Sequence, residues 1–216
     1  MKKRVRIIFL LFLLVVLFVA GLYYVFFLRL VRVPTGAMSN TILPGDRLVV
    51  NRLFSEVNRG DIIIFSYPAD PSIRYVSRVI GLPGERIQIR GRLVYINDQE
   101  LPEKRVLVEH VSPEFNDALR EISSDGEGRY RVFYFNDEAG ESTFAAPVGT
   151  AEPFLIPEGN YFVMGDNRDN SFDSRFRGTV PRRLVTGKPL LIYWSVKRDE
   201  NGATETRWGR MFSRPR

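Results

Sequence analysis

The stretch Arg86-Ile87-Gln88-Ile89-Arg90-Gly91-Arg92-Leu93-Val94-Tyr95-Ile96 alternates polar and apolar side chains, turns at Gly91-Arg92, and alternates back. Successive side chains of a strand point to opposite faces, so a period of two around a glycine turn reads as an antiparallel hairpin. Upstream, Asp61-Ile62-Ile63-Ile64-Phe65 reads as a buried strand closed by Tyr67-Pro68. Residues 75–80 read as another, closed by Gly81-Leu82-Pro83-Gly84, and residues 47–50 form a short apolar run before Asn51. Downstream, residues 130–135, 161–164 and 190–195 add further strands, and only residues 114–122 carry a brief helical pattern. The spacing predicts a mainly β protein built of antiparallel sheet.

Ahead of these strands lies an uncharged apolar run of 22 residues, 7–28. As a helix it measures about 33 Å, enough to cross the hydrocarbon core of a bilayer. Tyr23, Tyr24, Phe26 and Phe27 sit toward its outer end, where aromatic rings favour the interface. A cleaved signal peptide has a shorter apolar core and a small-x-small site; Val19-Ala20-Gly21 is a poor version, and apolar residues continue past it. The run is therefore read as a retained transmembrane helix. Lys2, Lys3, Arg4 and Arg6 precede it, which favours a cytoplasmic N-terminus and places the body on the outer side of the membrane.

Five of the 31 basic residues stand within the first 30 positions, which hold no acid. The rest of the chain carries 26 basic against 25 acidic residues, a net of +1, so no large basic surface speaks for nucleic acid. No Cys is present, which excludes disulfides, thiolate metal sites and thiol nucleophiles. A single histidine, His110, speaks against a His-rich zinc site or a Ser-His-Asp triad, and no cofactor or metal is expected. Texture divides the chain into a basic tail (1–6), the helix (7–28), a β core (29–97 and 158–216) and an inserted cap (98–157) richer in acids, Gly, Ser and Pro.

Three segments carry more than pattern. They are Val33-Pro34-Thr35-Gly36-Ala37-Met38-Ser39-Asn40-Thr41-Ile42-Leu43-Pro44-Gly45-Asp46, then Gly60-Asp61 through Tyr75-Val76-Ser77-Arg78-Val79-Ile80-Gly81-Leu82-Pro83-Gly84-Glu85, and then Gly165-Asp166-Asn167-Arg168-Asp169-Asn170-Ser171-Phe172-Asp173-Ser174-Arg175 with the Pro157–Met164 run before it. With the apolar run, these closely resemble bacterial signal peptidase I, a membrane-bound serine endopeptidase of the S26 type that removes signal peptides from exported proteins. The resemblance implies a β-sheet catalytic core outside the cytoplasm, with an inserted cap, using a Ser nucleophile and a Lys general base. Such a Lys must be neutral, and burial among apolar groups is what lowers its pKa. The Ser hydroxyl then gives up its proton as it attacks the scissile carbonyl.

Position by position, the family's nucleophile falls on Ala37 and its base on Ser77. A methyl group cannot form an acyl-enzyme, and a neutral hydroxyl is far too weak a base. Strand alternation puts Tyr75, Ser77 and Val79 on one face. The surroundings persist. The resemblance gives Thr35 and the Ala37 N–H a part in oxyanion binding. It makes Ser171 a hydrogen-bond partner of the base position, here Ser77. It pairs Asp173 with Arg175, and it makes Arg78 and Asp166 supporting residues. Loss of both members of the dyad reads as a natural inactive copy.

Other residues offer candidates for the same chemistry. Ser39, two positions after Ala37, is the alternative nucleophile, with Thr41 beyond it; re-aiming either is costly, since 1 Å of misplacement costs about 100-fold. Lys104, Lys188 and Lys197 are the only lysines outside the N-terminal segment, and Lys188 reads as a strand-edge charge. His110 falls in the cap. Asp166, Asp169 and Asp173 read as turn and ion-pair residues, with spacing that matches no calcium loop. The tail 207–216 mixes Arg with aromatics, either as a solvated end with one packed Trp or as a contact with anionic headgroups. Three readings remain open. The first is a signal peptidase I-like membrane protein of the export pathway without Ser/Lys catalysis, holding signal peptides, preproteins or a partner. The second is an active endopeptidase with relocated chemistry at Ser39. The third is a subunit with no peptide groove.

Overall fold

A computed structural model of the chain describes residues 2–108, 119–121, 128, 130–134, 148–149, 152–198 and 202–215. Helix α1 (Lys2–Phe27) takes in the apolar run, and its span Val5–Phe27 is long and apolar enough to cross a membrane. Its side chains from Val5 onward lie almost entirely exposed, so nothing in the body buries them. The helix stops at Phe27 because Leu28 begins β1 (Leu28–Arg32), whose backbone pairs with β2 (Asp46–Asn51).

Strands β3 (Ile62–Tyr67) and β4 (Asp70–Gly81) form a hairpin in which Ile63 stands opposite Ser77. Next come β5 (Arg86–Arg90), β6 (Leu93–Ile96), β7 (Gln99–Glu100) and β8 (Lys104–Val108). Then follow β9 (Leu119–Glu121), β10 (Arg131–Tyr134), β11 (Phe154–Leu155) and β12 (Asn160–Met164). Last are the short helix α2 (Ser174–Arg177), β13 (Val180–Pro181), β14 (Val185–Arg198) and β15 (Thr204–Thr206). The helical pattern over 114–122 is corrected where it can be seen: residues 119–121 pair with β8 as a strand, and 114–118, with His110, lie outside the described residues. A run that short is settled by an available partner edge, and β8 supplies one.

Among the described residues, one antiparallel sheet runs β1-β2-β14-β3-β4-β12-β13, with β15 on β14. Strand β14 bulges on either side of Leu191, next to Pro189, which has no N–H to give the ladder. The sheet buries both faces. On one, Ile62, Ile64, Leu48, Val50 and Ile192 pack with Val33, Met38 and Ile42 from the loop after β1. On the other, Ile63, Phe65 and Val79 pack with Tyr161, Val163 and Val180, with Tyr75 beside them. The alternation of β4 holds: Tyr75 and Val79 share a face, and Val76 points the opposite way.

A second core stands beside the first. The hairpin β5–β6 does not join the main sheet; it pairs with β7 and β11 instead. Its Ile87, Ile89, Val94 and Ile96 pack with Leu107, Val132 and Ile156, and with Phe162 and Met164 of β12. The second lobe thus takes in strands that precede Asp98. β8 runs between β9 and a parallel partner, β10.

The two lobes meet over buried charge. Arg168 is hydrogen-bonded to Glu103, with Nη1 to Oε2 at 2.8 Å, and both side chains are almost fully enclosed. Tyr130 donates to Glu103 at 3.1 Å, and the Tyr134 hydroxyl accepts from Arg168 at 3.4 Å. At the other end, the tail folds back on β14: the Phe212 N–H donates to the Ile192 carbonyl at 2.7 Å, and Arg210 donates to Asp46 at 2.7 Å. Trp208 is exposed and meets Trp194 edge-on at 6.1 Å.

Burial, reinforced by the Glu103 carboxylate, holds the Tyr130 phenol well above its usual range, and burial raises Tyr134 too. In the unfolded chain both phenols ionise near pH 10, so folding retains protons there. Stability is therefore undiminished below about pH 10 and declines as pH climbs from there toward the folded values. Unfolding temperatures measured in detergent from pH 8 to 11.5 should show that decline, and Tyr130→Phe with Tyr134→Phe should flatten it.

Candidate functional site

The loop between β1 and β2 is closed at its base by Val33 N–H to Asp46 O and Gly45 N–H to Val33 O, both 2.9 Å. Within it, Ser39 N–H bonds Gly36 O at 2.9 Å and Ile42 N–H bonds Met38 O at 2.7 Å, giving a tight coil. Met38 is fully buried and pins the coil to the sheet, a burial that stabilises by about 1.5–3 kcal/mol. Ala37, next to it, is half-buried, and Thr35 is exposed. Among the described residues, nothing accepts from the Ala37 N–H.

Across from the coil runs the segment after β12. Asn167 clamps the coil twice, by its N–H to Ala37 O at 3.2 Å and its Nδ2 to Gly36 O at 3.0 Å. The Asp166 N–H meets Met38 Sδ at 3.4 Å. The Asp166 carboxylate takes a two-pronged bond from Arg78, Nε at 2.7 Å and Nη2 at 2.6 Å, and a third from Thr41 Oγ1 at 2.5 Å. Arg78 also donates to Gly60 O at 2.7 Å and lies 4.3 Å from the Tyr130 ring centre. Burial alone lowers the Arg78 pKa, but the Asp166 charge beside it more than reverses this, so the guanidinium stays charged.

Asp173 anchors the next turn. Its carboxylate accepts from Arg175 Nε at 2.9 Å, Arg175 Nη2 at 3.0 Å and Gly165 N–H at 2.8 Å. Arg175 reaches on to Arg168 O at 2.7 Å, and Ser174 Oγ accepts from Val163 N–H at 2.9 Å. The turn is thereby fastened to β12 from both ends.

Ala37 and Ser77 converge on Gly165. In the β4–β12 register Met164, the residue before Gly165, stands opposite Arg78, the residue after Ser77. A Cβ on Gly165 would lie 2.3 Å from Ala37 O and 2.3 Å from Ser171 Oγ. Only a glycine allows this approach. No hydrogen bond joins Ser171 to Ser77 among the described residues; Ser171 closes over Gly165 instead. Ser77 is buried and opens on a small pocket walled by Phe65, Tyr75, Val163, Phe172 and Arg177, with no lysine in its lining.

The rival residues are placed elsewhere. Ser39 is fully buried, and its Oγ has no hydrogen-bond partner. Thr41 is committed to Asp166. Lys188 is paired with Asp61 at 2.5 Å and half-buried, not a strand-edge charge, because β14 runs between β2 and β3. Lys104 lines a separate cleft with Asn40, Arg131 and Arg210. Sequence reasoning assigned no role to Glu103, Arg168 or Arg177. Arg168 and Arg177 lie in or just past the third segment, but neither a partner 65 residues away nor a ring of aromatic faces is visible in spacing.

Residues 5–194 match a family model described as signal peptidase, peptidase S26. A signal peptidase I of Aquifex aeolicus (strain VF5) is 33% identical over 201 residues, covering 76% of the chain and 75% of that relative. One from Rickettsia rickettsii (strain Sheila Smith) is 34% identical over 189 residues, covering 76% and 71%. A solved signal peptidase I from Enterococcus faecalis V583 is 33% identical and aligns over 63% of the chain and 98% of its own, with a TM-score of 0.37.

Two substitutions probe the frame. Asp166→Asn leaves the buried Arg78 charge without its counter-ion and should cost about 3–5 kcal/mol in a denaturant titration. Gly165→Ala should cost about 1–3 kcal/mol, because the coil at Ala37 must move to admit the methyl group.

Proposed function

Because the chain belongs to the signal peptidase S26 family, we propose that it is a membrane-anchored signal peptidase I-like protein that keeps the family's peptide-holding frame without the Ser/Lys reaction. The observation that carries this reading is the pairing of an intact frame with an empty dyad. Asn167, Asp166 and Arg78 hold the coil at Ala37 against Gly165, yet Ala37 offers no nucleophile and Ser77 no base. An acyl-enzyme needs both an activated oxygen and a neutral nitrogen to take its proton.

Burial of Ser39 argues against relocated catalysis. Its hydroxyl lies beneath the coil, 2.9 Å from where a Cβ on Gly36 would stand, with no base beside it. Lys188 is held as an ion pair with Asp61, and a base must be an uncharged amine. What remains is binding. An extended peptide adds to a sheet by backbone bonds and side-chain pockets and needs no nucleophile. The ligands are signal peptides or exported preproteins, and the protein stands in a bacterial cytoplasmic membrane with α1 as its single span. The basic residues in the first turns of α1, Lys2, Lys3, Arg4 and Arg6, favour an N-terminus in the cytoplasm and a β domain on the outer side.

The test is cleavage of a preprotein by the full chain purified in detergent. The chain should leave it intact, and Ser39→Ala should change nothing. Ala37→Ser with Ser77→Lys, made with and without Arg177→Ala because Arg177 shares the Ser77 pocket, should gain cleavage in at least one form. Cleavage by the unaltered chain that Ser39→Ala removes would overturn the reading. Crosslinking of the uncleaved preprotein to the unaltered chain is expected, and its absence would favour a subunit without a peptide groove.

A further inference from the structure

The pocket that Ser77 opens on holds a permanent cation. The guanidinium of Arg177, at the end of α2, lies 4.1 Å from the ring centre of Tyr75, 4.2 Å from that of Phe172 and 4.6 Å from that of Tyr67. Three aromatic faces compensate part of its desolvation. They do not supply acceptors. Its Nε is buried and has no hydrogen-bond partner. The one carboxylate in the pocket lining, Asp173, is already bonded to Arg175 and to the Gly165 N–H. No other acid pairs with Arg177 among the described residues. A buried donor of a charged group left without an acceptor is costly, and an Arg fork set in aromatic walls is matched by a planar, two-oxygen anion.

Position selects which anion. Ser77 opens on the Arg177 pocket; its neighbour Arg78 stands opposite Met164, and the Ala37 carbonyl lies against Gly165, the residue after Met164. A peptide held by the family's frame places at Ala37 the carbonyl at which it is cut. An uncut chain presents a neutral amide there. A chain that has been cut ends there, in a carboxylate. From this we infer that Arg177 makes the site a receptor for the free C-terminal carboxylate of a cleaved signal peptide ending in a small residue, with the Ser77 hydroxyl opening on the same pocket as a second donor. The inference rests on the peptide-holding reading above and sharpens it: product, not substrate, is the preferred ligand. Arg177 is a binding residue in this scheme. A guanidinium side chain holds its proton too tightly to serve as the missing base.

The experiment uses the full chain in detergent and a fluorescently labelled peptide of a signal-sequence C-region ending in Ala-x-Ala. The peptide is made once with a free carboxylate and once with a C-terminal amide, and an uncleaved preprotein serves as a third ligand. The acid should bind at least about tenfold more tightly than the amide, the difference expected of a charge-assisted pair over a neutral one. Arg177→Gln should bring the acid down to the affinity of the amide, and Arg177→Lys should recover part of the gap. The amide affinity and the unfolding temperature of Arg177→Gln report whether the variant is folded. Equal binding of acid and amide by the unaltered chain overturns the carboxylate inference while leaving the groove intact. Failure of all three ligands to bind overturns the peptide-holding reading as well.

Discussion

A single buried carboxylate organises the centre of the molecule. Asp166 draws Arg78 of β4, Thr41 of the coil and, through its own N–H, the sulfur of Met38 onto one point. These groups come from two other segments, β4 and the coil, the most distant 128 positions away. Removing a charge pair of this kind from water is expensive, and only a full set of hydrogen bonds offsets it. Satisfaction of Asp166 therefore fixes the relative placement of the coil, the hairpin and the turn after β12. Gly165 and Asn167, its neighbours on either side, inherit that placement and bring it to Ala37.

This construction separates holding from reacting. The coil is held by the Asp166–Arg78 pair, by Thr41 and by Asn167, which bonds the Ala37 carbonyl, while no side-chain hydrogen bond of Ala37 or Ser77 enters that network among the described residues. On the reading proposed above, Ala37 and Ser77 stand at the dyad positions while the Arg78–Asp166 and Arg175–Asp173 pairs stay closed. The volume beside Ser77 is shared by Phe172 and Arg177.

A second buried pair, Arg168 with Glu103, joins the motif turn to the other lobe. It extends the network from the main sheet into the core formed by β5, β6, β8, β10 and β12. Arg175 bonds the carbonyl of Arg168, so the turn is one connected polar unit from Asp173 to Glu103. Such a unit is rigid because loosening any member exposes a charge to an apolar surround.

The amino-acid sequence by itself determined the local order. The alternation of residues 86–96, the buried run at 61–65 and the apolar stretch before Leu28 are written in nearest-neighbour periods, which physics reads directly as hairpin, strand and helix. It also placed Ser77 on the Tyr75 and Val79 face. Partnership was not legible. Periodicity does not say that β5–β6 leaves the main sheet for β7 and β11, nor that residues 119–121 find β8 as a strand. Nothing in spacing announces that Glu103 waits for Arg168, or that Arg177 lies among Tyr67, Tyr75 and Phe172. Those facts were decided by the tertiary structure alone, because a buried charge selects its partner by distance in space and by the dielectric around it, and neither quantity exists until the chain has folded.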